Sequence, residues 1–208
     1  MVDLRRDAPD DPLIKKRIGA HFLRVGAPSR ALQVFEELIE SNPNDGEAHA
    51  GIGEGELALA HYYSARTAFQ RAFRLLPDHP DVQQHLALLE QIRALDPTYR
   101  PYGNVLSSAE RYRRGRELLD RVVKVFEHCM NPAAGPDFVG PPASVPDELR
   151  PWFDQAKDQL ETRRRVTDDR IATLMSLAEE LWLRRESTCD DPDSQDEPMT
   201  HVLRKLTS

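Results

Sequence analysis

The sequence predicts an all-α protein, and three observations predict it. Residue types recur at a step of 34 along the first part of the chain. Outside that recurrence, apolar residues fall at helical spacing. Prolines and glycine-containing clusters sit between the periodic stretches, where helices must stop.

The recurrence comes first. Ile18-Gly19, Phe22, Ala31, Phe35 and Pro43 map by 34 onto Ile52-Gly53, Glu56, Ala65, Phe69 and Pro77, and five of the six positions keep their residue type. A third step reaches Leu86-Ala87, and the phase is lost near Asp96-Pro97. The pattern predicts two helical hairpins, 12–45 and 46–79, and a closing helix at 80–95. Gly19, Gly53, Ala31 and Ala65 are small where antiparallel helices approach. Phe35 and Phe69 fill the space between successive pairs, and Pro43 and Pro77 end second helices. Gly26-Ala27-Pro28-Ser29 and Asn42-Pro43-Asn44-Asp45-Gly46 supply the turns.

This pattern resembles the tetratricopeptide repeat, whose 34-residue unit carries L-G-x2-Y, A-x3-F and P positions. The resemblance covers about 12–97 and implies about two and a half repeats. It departs from the family at Lys15 and His49, where a tryptophan is frequent, and at Glu56, where a large aromatic packs. The family's concave groove is lined by the first helix of each repeat. The resemblance therefore implies a partner-binding groove of Lys16, Arg17, Ala20, Leu23 and Arg24 from the first copy. Ala50, Glu54, Leu57 and Ala58 continue it, followed by Gln84, His85, Leu88 and Gln91 from the closing helix. Some members grip a C-terminal carboxylate there. Only Lys16 fits that set, with Ala20, Glu54 and His85 at the other clamp positions, so no chaperone-type clamp is expected.

The rest of the chain predicts a helical extension that resembles no family. Residues 1–11 read as a flexible start. Ser107-x-x-Glu110 is a capping-box pattern opening a helix over 107–130, with Leu118, Leu119, Val122, Val123 and Phe126 on one face. The run 131–146 has five prolines and two glycines and reads as a linker or strap. A helical hairpin is expected over 147–186: one helix from Glu148 to Arg165, then a second capped by Thr167. Ile171, Leu174, Met175, Ala178, Leu181 and Trp182 form the clearest apolar stripe in the chain. The last segment, 187–208, reads as an acidic, largely mobile tail in which Thr200 to Leu206 form a turn or two of helix. Because repeat stacks need closing elements, the extension reads as a large cap or as a second module with its own partner.

Chemistry-bearing patterns are few. The seven histidines match no metal-ligand spacing, and the cysteines, Cys129 and Cys189, lack the paired spacing of zinc sites. The two cysteines read either as a disulfide, in an oxidising compartment, or as two free thiols. Gly51-Ile52-Gly53-Glu54-Gly55 lacks the preceding strand and the Lys-Ser/Thr of a P-loop. Carboxylate pairs such as Glu36-Glu37 and Glu179-Glu180 diverge around a helix, so acid–base chemistry has no support. No catalytic residue, metal or cofactor is expected.

Composition narrows the function further. The 208 residues carry 28 basic and 35 acidic side chains, a net charge of −7, which disfavours a protein that mainly neutralises phosphates. Arg111, Arg113, Arg114 and Arg116 around Tyr112, and Arg163-Arg164-Arg165, are read as solvated helix surface rather than a nucleic-acid face. No apolar run approaches the ~20 residues of a membrane span. Lack of a signal or span favours a cytoplasmic chain, and a segment upstream of Met1 would make it periplasmic or membrane-anchored; the compartment is left open. The expectation is a non-enzymatic adaptor or scaffold whose groove binds a peptide or helix of a partner protein. The alternative is a structural subunit or homo-oligomer assembling through the C-terminal helices, with the Ile171 to Trp182 stripe facing another chain.

Overall fold

The computed structural model of the chain describes residues 11–100, 104–130, 145–162, 165–184 and 196–207. Among the described residues every regular element is helical. The chain divides into two compact units, 1–90 and 91–208.

The first unit holds α1 (Pro12–Arg24), α2 (Pro28–Ser41), α3 (Gly46–Ala58), α4 (Tyr62–Leu75) and most of α5 (Pro80–Leu95). The bounds of α3 and α4 are those of α1 and α2 moved by 34 residues, and α5 begins 34 after α3. Local chemistry explains the coincidence. Asp11 caps α1 by accepting from the Leu13 N–H at 2.8 Å, and Asp45 caps α3 by accepting from the Ala48 N–H at 3.0 Å. The N–H groups of Gly26 and Ala27 donate to the Leu23 and Phe22 carbonyls, and those of Ala60 and His61 donate to the Leu57 and Glu56 carbonyls. Each turn needs one left-handed residue: Gly26 has φ +71°, and Ala60, one repeat later, has φ +59°. The Asn42 and Leu76 N–H groups close α2 and α4 on the Leu38 and Ala72 carbonyls, both at 2.8 Å.

Side-chain packing follows the same step. A methyl group on Gly19 would lie 2.6 Å from the Phe35 ring, and one on Gly51 2.4 Å from the same ring. Phe35 is thus held between α1 and α3 by two bare backbones. Phe69 meets Gly53 in the same way, and a methyl there would lie 2.7 Å from it. On its other side the ring stacks on His85, 34 residues after Gly51, with centroids 4.7 Å apart and planes 8° from parallel. Gly55 meets Leu32, at 2.8 Å from an added methyl. The Gly51-x-Gly53-x-Gly55 run is therefore the packing surface of a helix caught between α2 and α4. Glycine costs about 1 kcal/mol in a helix interior, and close helix approach offsets it. Ala31, Phe35, Leu38 and Ala48 form a buried cluster shared by the first hairpin and α3, with Phe22, Leu23, Ile39 and Ile52 against it.

The second unit holds α6 (Ser108–Met130), α7 (Arg150–Glu161), α8 (Asp168–Leu183) and α9 (Glu197–Thr207). Ser107 accepts from the Glu110 N–H at 3.2 Å and Thr167 from the Arg170 N–H at 3.3 Å, so each caps the helix it precedes. α6 packs on α7 and α8, and α9 packs on α8 and α6. Leu118, Leu119, Val122, Val123 and Phe126 of α6 meet this core with Phe153 and Ala156 of α7, all buried.

Three expectations change here. α7 is shorter than the expected 148–165 helix. Pro151 stands at its start, and its last carbonyls are taken by arginines: Arg116 donates to Leu160, and Arg170 to Gln159 and Thr162. The turn or two of helix expected at Thr200 to Leu206, inside a largely mobile tail, is the longer α9 (Glu197–Thr207), and its Met199, Val202 and Leu203 are wholly buried. Asp196 begins α9 by accepting from the Met199 N–H at 3.1 Å and is held by Arg121 at 2.9 Å. The Ile171–Trp182 stripe is covered by the unit's own helices, with Ile171, Leu174, Ala178 and Leu181 fully buried. Of the stripe's six side chains, Met175 keeps partial exposure and the other five are buried. The flexible start at 1–10, the strap at 131–144 and the segment 187–195 lie outside the described residues.

Candidate functional site

The expected groove residues lie on α1, α3 and α5, and they do not share one environment. Lys16 lies 2.9 Å from the Asp45 carboxylate and 2.7 Å from that of Glu47, tying α1 to the start of α3. Burial alone would lower its pKa, but the hydrogen bonds to Glu47 and Asp45 prevail and raise it. Asp45 is the counterpart: burial pushes its carboxyl up, and the bonds from Lys16 and the Ala48 N–H hold it below the usual range. Lys16 is therefore already engaged and is not an open anchor for a ligand. Arg17, Ala20 and Arg24 are exposed on α1. Leu23 turns into the first hairpin's core. Ala50 and Leu57 are buried at 9% and 8% exposure, because α3 is embraced by α2 and α4; they support the face from beneath. Leu88 is likewise buried, and Gln84 is exposed on α5.

Glu54 and His85 act on each other electrostatically. Glu54 is half-buried on α3, and the charged groups that act on it are His85, Asp81 and His79. Burial raises its pKa, and the nearby like charge of Asp81 adds to that. The Nδ1 atoms of His79 and His85 are shielded from solvent and have no hydrogen-bond partner. The sequence places Glu54 and His85 in the expected groove and does not single out His79. The signal available was that His79 stands 34 residues after the cap Asp45. Among the described residues no three His, Cys, Asp or Glu side chains are arranged to hold a metal ion.

The arginine cluster of α6 is used within the second unit. Arg113 and Arg114 both donate to Glu110, at 2.8 and 2.7 Å, and hold its carboxyl down to about 2. Arg114 also donates to the carbonyls of Arg93 and Asp96, closing the C-terminal end of α5. Arg111 lies 3.3 Å from Asp168. Tyr112 lies beneath Arg170, 5.3 Å from guanidinium carbon to ring centre, so it is not an open stacking platform. Cys129, near the end of α6, is disulfide-bonded; Cys189 lies outside the described residues. Among the described residues no helix is long and apolar enough to cross a membrane.

Compared with known proteins, the chain matches no family model, no curated protein and no solved structure.

Proposed function

We propose that the chain is a non-enzymatic adaptor or scaffold of tetratricopeptide type, whose first helices present one face to a peptide or helix of a partner protein. The observation that carries this reading is the recurrence of caps, turns and ring contacts from the first hairpin to the second at a step of 34. Repeat units stacked in this way present spaced side chains along an extended surface, which suits an extended ligand better than a small reacting one. The mixed character of the face agrees: exposed Arg17 and Arg24 on α1, half-buried Glu54 on α3, exposed Gln84 on α5. The engagement of the α6 arginines with internal partners favours a protein ligand over a nucleic acid.

The test is affinity capture from lysate of the source cell, read by quantitative mass spectrometry, with wild type beside Arg17→Glu/Arg24→Glu. Lys16 is left alone, because a glutamate there would face Asp45 and Glu47 and weaken the fold itself. A protein held by wild type and lost with the variant supports the reading. Unchanged retention moves the working surface to α6–α9.

A further inference from the structure

Two large apolar side chains stand exposed at the two ends of α1. Leu13 is 65% exposed, and Val25, which ends the helix, is 58% exposed. Between them, at steps of four, stand Arg17 and His21, both exposed. Residues four apart share a helix face, so Leu13, Arg17, His21 and Val25 form one ridge of the kind by which helices pack on each other. Among the described residues the Arg17 and His21 side chains have neither a hydrogen bond nor an ion pair. The ridge is thus apolar at both ends and basic in the middle.

The repeat shows what such a ridge receives. At a step of 34 the same four positions are Glu47, Gly51, Gly55 and Leu59, along α3. There the ridge lies under α2: an added methyl on Gly51 would fall 2.4 Å from the Phe35 ring, and one on Gly55 2.8 Å from Leu32. A helix therefore crosses this ridge in the second copy, with Leu32 and Phe35, three residues apart, at the contact. In the first copy Arg17 and His21 replace the two glycines. Leucine and phenylalanine laid over them would bury a guanidinium and an imidazole without acceptors, which costs free energy. A helix with carboxylates at those two places supplies the acceptors and keeps apolar residues for Leu13 and Val25.

We propose that this ridge docks an acidic amphipathic helix of a partner protein, seated across α1 as α2 is seated across α3. Two Asp or Glu side chains, three or four residues apart, lie over Arg17 and His21, and an apolar side chain lies at each end, over Leu13 and Val25. The apolar ends supply affinity. The charged centre selects the partner, since exposed ion pairs add little affinity but exclude a basic helix. Arg17 is common to this ridge and to the expected groove, Arg24 belongs to the groove alone, and His21 and Val25 belong to the ridge alone, so the two surfaces can be tested apart.

A phage-displayed library of helical peptides, randomised along one face and panned on the full chain, tests it. Arg17→Glu/His21→Glu and Leu13→Asp/Val25→Asp are panned beside wild type, each first shown to keep its helical circular dichroism. Wild type should enrich helices with two acidic residues three or four apart between apolar ones. A synthetic copy should bind each variant at least tenfold more weakly, and Arg17→Glu/His21→Glu should enrich Lys or Arg at the same places. Enriched peptides that lack the acidic pair, or that bind both variants as well as wild type, overturn the inference. If such peptides depend on Arg24 instead, the adaptor reading survives without it. Self-association of wild type by light scattering, lost in Leu13→Asp/Val25→Asp, would make a second copy the occupant and also overturn it. So would the absence of any enrichment over a control protein.

Discussion

The two units reach the same secondary structure by different means. In the first, contacts are local and repeated: a phenylalanine ring in each hairpin, flat against a glycine or histidine of the next, and a cap or turn every half-period. In the second, nothing repeats, and the ties span the chain. Arg121 meets Asp196 across 75 residues, and Lys205 meets the buried Asp96 across 109. The first unit is fixed by the absence of side chains at the points of contact, the second by their presence: Leu118, Phe126, Leu174, Trp182 and Leu203 fill its interior. The difference teaches that stability in one unit is sensitive to added atoms, and in the other to removed ones.

Several substitutions would break or sharpen that contrast. Gly51→Ala has the largest expected effect. The added methyl falls 2.4 Å from Phe35, and the ring cannot retreat because Gly19 backs it on the other side. Overpacking of this kind costs about 2–3 kcal/mol, read as increased hydrogen exchange in α1–α3. A loss below about 0.5 kcal/mol would mean that the ring has room to shift. In the second unit, Lys205→Met removes the cation 2.5 Å from Asp96, a residue 2% exposed whose carboxylate then keeps, among the described residues, only the donors of Thr98. The expected cost is about 2 kcal/mol by denaturant unfolding. Asp96→Asn/Lys205→Met should recover part of it.

Smaller effects follow. Asp45→Ala should cost about 1 kcal/mol through loss of the α3 cap. Because the folded-state carboxyl of Asp45 lies below its ordinary value, its contribution is present at neutral pH and lost as pH falls through the acid range. The difference between Asp45→Ala and wild type should therefore shrink on acidification. Ala60→Gly should gain about 0.5 kcal/mol, since only the second turn places a side chain at positive φ; Gly26→Ala should do the reverse. Glu54→Gln reverses the sign of Asp45. The folded pKa of Glu54 is raised, so its ionisation opposes folding. The variant should unfold at higher temperature than wild type at pH 7, with the advantage fading as pH falls through the carboxylate range.

How much of this was legible in the sequence follows from the same contrast. A period writes each contact twice, so the bounds 12–45 and 46–79 and the packing roles of Phe35 and Phe69 could be read directly. The boundaries of α6 and α8 were legible from Ser107 and Thr167, because a cap is a local signal. Of α9 only a turn or two at Thr200 to Leu206 was legible, and its start at Glu197 and its burial were not, because only α6 and α8 give Met199, Val202 and Leu203 something to pack against. The short α7 was not, because the arginines that close it come from α6 and α8. The site was half legible. Repeat position put Glu54 and His85 on the right helices, but Ala50, Leu57 and Leu88 read as lining and are support. That Lys16 is neutralised depends on how the start of α3 approaches α1.

The match of helix bounds at one fixed step has a bearing on how such a chain is lengthened. A second copy of residues 46–79 placed after the first would bring a glycine to the Phe69 ring, as Gly51 comes to Phe35. It would also carry forward a ring of its own for His85 to lie against. The junction between the copies would pack α4 on a second α3, so Arg66 would meet the copied Gly55 where Leu32 meets Gly55 now. Duplication of a single stretch of gene can thus lengthen the helical stack one hairpin at a time, with the ring contacts kept and only the surface of α4 left to adjust.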